Sequence, residues 1–434
     1  MKTVYDTLLG KTRNFFCTII DKRQSAKVRI PLVDHLMCGL GIFALKYPSL
    51  LQFDELVRQD KESAQSQNFL NLFGVVNPPD DTTMRQTLDE VEPAQIRPLF
   101  KEVNNYLKDN KYLESFSFYK NSFLLAMDGT GFFSSHDVNC ENCCVKNHRD
   151  GSTTYHHQAV VVAMVHPNNK EVVPLDLEPI VKQDGAAKND CERNATKRVL
   201  ARLRETYPTT NFTITEDALS ANYPHICTIK MYNMNFILGI KPGDHKDFFS
   251  RLEDEKNLRE NIVQVKNGKV LQTFRFINNI LLKEDEPNST VNFVECEEHD
   301  EKGKVTKFTW VTNFQISKQN VHKIASGGRA RWRIENEVFN TLKNQGYQFE
   351  HNFGHGRKNL STNFAILMLL AFAIDQASDL SCQTYQRARV KARTKYHMWE
   401  KMRSTFDYIV IDSWKILFML ISGQVKLTYS FDSG

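Results

Sequence analysis

Three carboxylates stand where side chains are expected to leave a folded core. Asp128 follows the apolar run SFLLAM (122–127) and precedes Gly129, Asp217 closes FTITED, and Glu335 lies within RARWRIENEVFNTLKNQG. In sheets flanked by helices, ligands collect beyond strand ends, because side chains there emerge from the core and converge. An acid at a strand end is equally an ordinary turn or helix-cap residue, so neither aspartate identifies a site alone. Glu216 is the alternative to Asp217; neighbouring strand residues point to opposite faces, so only one of the two faces the site. On a helix, Arg331 and Glu335 share a face beside the stripe Ile334, Val338 and Leu342, which would dock against a sheet. The competing reading is a surface ion pair; Arg329 and Arg333 beside it suit a polyanionic substrate instead. With no Ser/His/Asp pattern and no phosphate-cradling glycine loop, such acids suit hard cations. Two Mg²⁺ or Mn²⁺ ions on the order of 3.5–4 Å apart activate an attacking oxygen and stabilise a leaving oxygen at phosphorus.

A second group is CENCC, with Cys140, Cys143 and Cys144 flanked by His136 and His148. Cysteines two residues apart with a nearby histidine can supply tetrahedral zinc, making Cys140, Cys143, Cys144 and His148 candidate ligands of a structural Zn²⁺. The alternative is reduced thiols in a surface hairpin, since no distant second Cys pair exists. In HNFGHGRKN, His351 and His355 suit phosphate or metal contact, or a turn before a helix capped near Ser361 or Thr362. The stretch from Arg387 to Arg403 holds seven basic residues, Tyr396, Trp399 and a single acid, Glu400. That mixture suits a nucleic-acid backbone and, equally, an amphipathic helix that snorkels its cations.

The elements that must position these groups fall into five stretches. Residues 1–115 carry helical periodicity, as in Leu32, Leu36, Leu40 and Phe43. Residues 116–244 alternate short β-branched runs (SFLLAM, QAVVVAMV, VVPLDLEPI, FTIT, NFILGI) with two helical stretches, which predicts a mixed α/β sheet opening with an antiparallel meander. Residues 245–320 form a β-rich, locally acidic insertion, 321–377 two further helices, and 378–434 a basic helical end.

At 434 residues the chain can bury a large core. Its hydrophobic fraction of 41% and charged fraction of 25% exclude collagenous and broadly disordered classes. A net charge of +5 is too mild to name a polyanionic partner; acids at 284–301 offset basic stretches at 22–29, 329–333 and 387–403. Nine cysteines, six of them scattered singly, do not resemble a disulfide framework and fit a reducing compartment. The apolar runs near Leu36–Leu45 and Phe364–Ile374 fall short of the roughly 18 residues that span a bilayer, so both are expected in the core. No signal peptide is visible in MKTVYDTLLGKTRNFF, and no membrane partner is expected.

The segments AMDGT, ITEDALSAN and RARWRIENEVFNTLKNQGYQFEHNFGHG, in this order around a β-rich insertion, resemble bacterial insertion-sequence transposases of the DDE type, in the broad IS4-like group. The resemblance runs from about 120 to 377, and FALKYPSLLQF with MRQTLDEVEP is similar to such proteins as well. It implies a ribonuclease H-like catalytic domain, an insertion before the last catalytic helix, and an acidic triad at Asp128, Asp217 and Glu335 holding two divalent cations. It also implies cleavage at the ends of a mobile element and strand transfer into target DNA. DNA and a homodimer on DNA are the implied partners, and a cytoplasmic, nucleoid-associated location follows. The helix signature of the group is Tyr, two residues, Arg, three residues, Glu, six residues, Lys. Arg331 and Glu335 fit it, whereas Gly328 holds the Tyr position and Leu342 the Lys position, with Lys343 one residue late. One residue is about 100° of helix rotation, so a regular helix would turn Lys343 away from the family lysine. Arg331 and Lys343, with Arg329 and Arg333, are the expected DNA contacts. Two other readings stay open: a DNA-binding protein that keeps the fold without catalysis, and a metal-dependent nuclease that does not join DNA.

Overall fold

The computed structural model describes residues 2–58, 63–181, 191–254, 258, 261–268 and 270–428. Its centre is a mixed sheet of ten strands: β1 (Phe123–Ser135), β2 (Cys144–Asn147), β3 (Thr153–Val165), β4 (Val173–Ile180), β5 (Phe212–Glu216), β6 (Asn235–Gly239), β7 (Ile262–Asn267), β8 (Val270–Leu281), β9 (Thr290–His299) and β10 (Val305–Thr312). β3 lies antiparallel between β1 and β4, while β5 and β6 follow β1 in parallel. The five inner strands therefore run β4-β3-β1-β5-β6, an antiparallel meander continued by two parallel strands. This is a ribonuclease H-like α/β arrangement with helical regions before and after it. Parallel strands need crossovers, and the helices Glu192–Thr206 and Tyr223–Met231 supply them. Covered on both faces, β1, β3 and β5 read as near-continuous apolar runs, with Leu124 to Ala126 and Ala159 to Ala163 fully buried.

The β-rich insertion is not a detached module. β10 pairs antiparallel with β6, and β9, β8 and β7 follow in order, so the meander widens the same sheet. After it, the helix Val321–Arg329 crosses the sheet closely: a Cβ on Gly327 would lie 2.6 Å from Phe118, and one on Gly328 2.3 Å from Trp310. Trp310 fills the space that any side chain at position 328 would need. The next helical stretch contains a π-helical segment, Ile334–Phe339, before the α-helical turn Asn340–Asn344.

The helix Leu360–Ser381 is long and apolar enough to cross a membrane by length and composition, but 94% of its most apolar window is buried inside the protein. It extends beyond the Phe364–Ile374 run because Ser, Thr, Asn and Gln on its flanks find partners. Asn363, for example, donates to the carbonyls of Leu88 and Val91. Its start is Asn359/Leu360 rather than Ser361 or Thr362, since the Asp89 carboxylate accepts from the backbone N–H groups of residues 357–360. Around this helix the amino-terminal and carboxy-terminal helices close together. Asp375 accepts from Tyr5 (2.6 Å), Tyr385 (3.3 Å), Lys46 and Tyr347, joining four chain segments at one carboxylate.

Candidate active site

The parallel register between β1 and β5 sets two acids at one level of the sheet. Ala126 pairs with Thr215, so Asp128 and Asp217, each two residues further, sit at the same level where the parallel pairing ends. Asp128 does not end its strand, contrary to expectation. β5 stops at Glu216, but β3 continues to hold β1 as far as Ser135, so Asp128 lies mid-strand at the edge of a local opening. Asp217 caps the short turn Ala218–Ser220 by accepting from the Leu219 N–H (3.0 Å), so its cap role is real as well. Glu216 is engaged elsewhere, against His225 Nε2 at 2.5 Å. Burial opposes charge on His225, but the Glu216 carboxylate outweighs it and raises the histidine.

The third acid arrives on the helical stretch after Gly328. Ile334, Val338 and Leu342 are fully buried and dock it to the sheet. Arg331 then donates to Asp128 Oδ2 (3.0 Å) and pairs with Glu335 Oε1 (2.6 Å), tying strand acid to helix acid. The surface ion-pair reading of Arg331 and Glu335 is therefore only half of its role. The guanidinium is 14% exposed and turned inward, while Glu335 is 49% exposed. Arg331 and Asp217 line one cleft of about 280 Å³, with Lys241, Lys307, Trp310 and Trp332 on its other walls.

A fourth acid belongs to the cluster and escapes a sequence reading. Glu192 opens the crossover helix, which is fixed to β4 by Arg198 on Glu178 (2.6 Å) and Arg202 on Asp176 (2.7 Å). Its carboxylate lies so close to Gly129 that a Cβ there would meet Oε2 at 2.7 Å. Gly129 is the space that admits it. Burial, then the charges of Asp217 and Glu216, raise the Glu192 carboxyl. Asp128 is pushed up to about 7, first by burial and then by Glu192 and Glu335, against which Arg331 pulls down. In sequence Glu192 is indistinguishable from any acid in a first helical turn, where the helix dipole favours one.

The other candidate residues are placed as follows. Arg329 pairs with Glu298 (3.2 Å) and lies 4.0 Å over the Phe308 ring. Arg333 reaches Glu337 (3.4 Å) and the Pro167 carbonyl (3.1 Å), and Lys343 pairs with Glu350 (2.8 Å). The basic stretch is two helices, Gln383–Ala392 and Lys395–Tyr408, because Arg393 adopts φ 65 between them. Several of its cations are used internally: Arg389 faces Asp379 (3.7 Å), Lys395 donates to Thr341 (3.0 Å) and Arg403 to the Lys46 carbonyl (2.8 Å). In the cysteine group, Cys140 and Cys143 come together, but Cys144 and His148 do not join them. Strand β2 begins at Cys144 and turns that thiol toward the Ile180 carbonyl (3.4 Å), while His148 Nε2 contacts the Thr154 hydroxyl (2.7 Å). His157 and His355 take their places beside the two thiols.

No known protein family matches the sequence, and no curated protein matches it. Among solved structures, the chain is similar to a piggyBac transposase synaptic complex with hairpin DNA, with a TM-score of 0.40 and 11% identity over 96% of this chain and 79% of that one. It is also similar to the NurA nuclease from Sulfolobus solfataricus, with a TM-score of 0.24 and 13% identity over 54% of this chain and 82% of that one. Both likenesses are distant, and the ribonuclease H-like assignment rests on the strand order itself.

Proposed function

We propose that the chain is a DNA transposase of the DDE type, cleaving the ends of a mobile element and transferring the freed 3′ hydroxyl ends to target DNA. The observation that carries this reading is the common level of Asp128 and Asp217 on adjacent parallel strands, with Glu335 joined to Asp128 through Arg331. The donor set fits hard cations. It is all carboxylate oxygen, and Asp128, Glu192 and Glu335 act on one another as like charges around the single guanidinium of Arg331. Asp128, Asp217 and Glu335 would hold Mg²⁺ or Mn²⁺, which supplies charge to the attacking and leaving oxygens at phosphorus.

The protein's own side chains position the substrate. Arg331, lining the cleft, orients a phosphate beside the acids, and Lys241 and Lys307 on the cleft wall favour the flanking backbone. Trp332, about half exposed, offers a ring there to an unstacked base, while Trp310 is buried against Phe308 and Gly328. Strand transfer exchanges one phosphodiester for another, so it needs no external energy source. A homodimer on two element ends, with the terminal helices aiding synapsis, completes the proposal, together with membership of the IS4-like group.

The test is incubation of the purified protein with labelled element ends, supercoiled plasmid and Mg²⁺ or Mn²⁺. Nicking followed by strand-transfer product is expected. Binding without nicking would favour a fold that has lost catalysis, and nicking without joined product would favour a nuclease.

A further inference from the structure

Away from the acids, Cys140, Cys143, His157 and His355 place four donor atoms within 4.8 Å of one another. Cys140 Sγ lies 3.8 Å from Cys143 Sγ and 3.3 Å from His157 Nε2. Cys143 Sγ lies 3.5 Å from His157 Nε2 and 3.3 Å from His355 Nε2. A tetrahedral zinc with Zn–S about 2.3 Å and Zn–N about 2.0–2.1 Å has S···S edges of about 3.8 Å and S···N edges of about 3.5 Å. The four separations lie within about 0.2 Å of the corresponding edges of that tetrahedron. A disulfide is excluded, since its sulfurs stand about 2.0 Å apart.

Hydrogen bonding alone does not account for the convergence. His157 Nε2 faces both thiols, and one imidazole nitrogen has a single lone pair to offer. Cys143 Sγ also accepts the Cys140 backbone N–H at 3.4 Å, as a thiolate would. We propose that these four side chains form a structural zinc site, with Cys140 and Cys143 as thiolates and both histidines binding through Nε2. Thiolate and imidazole in a tetrahedral set select zinc over the hard cations that suit the acidic site. The site is closed: Cys143 is fully buried, His157 1% and His355 7% exposed. Four protein ligands leave no position for substrate, so its role is architectural.

Its position defines that role. Cys140 and Cys143 follow β1, His157 is on β3 opposite Phe133, and His355 lies between the Glu335 helical stretch and Leu360–Ser381. The same two loops are already laced by Asn142 donating to the Lys358 carbonyl (2.7 Å). Zinc here fastens the segment that follows Glu335 to the two strands beside Asp128.

Metal analysis of the full chain, purified without added zinc, is expected to find about one zinc per chain. Cys143→Ser and His355→Ala should each reduce this to near zero, while Cys144→Ser and His148→Ala leave it unchanged. Cobalt exchanged into the wild-type protein should show the intense visible bands of a tetrahedral ion and a sulfur-to-metal charge-transfer band. This readout also stands if a ligand variant fails to fold. A wild-type protein that carries no zinc and takes up none on titration would overturn the proposal, as would full zinc content in Cys143→Ser. None of these readouts depends on DNA cleavage.

Discussion

Two aspartates in this molecule are surrounded in opposite ways. Asp375, on the central helix, is 2% exposed and takes hydrogen bonds from three tyrosines and a lysine. Burial and then the Asp375 charge push the Tyr5, Tyr347 and Tyr385 hydroxyls up, so all three remain donors. Among the described residues, Asp128 has one cationic partner, Arg331, one backbone N–H from Gly129 at 2.9 Å, and two further carboxylates as neighbours. The first carboxylate is saturated and closes the architecture. The second is part-buried with two other acids around it and one guanidinium between them, an arrangement that favours added positive charge.

The comparison is broken most directly by exchanging both aspartates for asparagine. Asp128→Asn is expected to abolish DNA cleavage, a loss of about three orders of magnitude, with DNA binding retained and thermal stability unchanged or slightly raised. Comparable destabilisation by this variant would place Asp128 with the architectural carboxylates. Asp217→Asn and Glu335→Gln should lose cleavage in the same way. Asp375→Asn leaves the Lys46 ammonium buried without its counter-charge and is expected to cost about 3–5 kcal/mol in a denaturant titration. A loss below 1 kcal/mol would mean that the tyrosines and Lys46 do not need the charge. Glu192→Gln should act between these extremes. Cleavage falls about tenfold at limiting divalent cation and recovers as cation is raised, because one of the attracting charges is gone. An effect independent of cation concentration would make Glu192 a helix-terminus residue only.

A smaller effect tests the architectural side through pH. His35 is lowered to about 4, chiefly by burial and then by Arg23. Its unfolded value is about 6.5, so the unfolded chain binds the extra proton between these two pH values. Stability is therefore fully present above about pH 6.5 and is lost as pH falls toward 4, by about 1–3 kcal/mol. His35→Gln should flatten this slope without altering cleavage at neutral pH, and an unchanged slope would assign the acid sensitivity to other groups.

What the sequence makes legible follows burial and period. The inner strands and the stripe Ile334, Val338 and Leu342 are readable because both depend on local apolar spacing, and their burial confirms the docking face. What depends on pairing is not readable. Small residues from Gly129 to Gly131 look like the end of β1, yet β3 carries it to Ser135. His157 and His355 join Cys140 and Cys143 only through the sheet and a loop more than 200 residues away in sequence. Neither Glu192 nor Asp375 announces itself, the first because it mimics a helix-start acid and the second because it is embedded in a helix otherwise read as plain core. The break at Arg393 has no glycine or proline to signal it.

The π-helical segment Ile334–Phe339 decides which way the residues after Glu335 face. A π turn takes about one residue more than an α turn, so side chains beyond it are rotated back relative to a regular α-helix. Eight residues from Glu335 to Lys343 at about 100° each would leave Lys343 about 80° away from Glu335 around a regular helix, and a π turn withdraws about one residue's rotation. Leu342 is then a core residue, fully buried, and Lys343 is the side chain that emerges, 26% exposed. The bulge returns Lys343 toward the helix face that carries Glu335, a phase that counting residues along the linear text does not give.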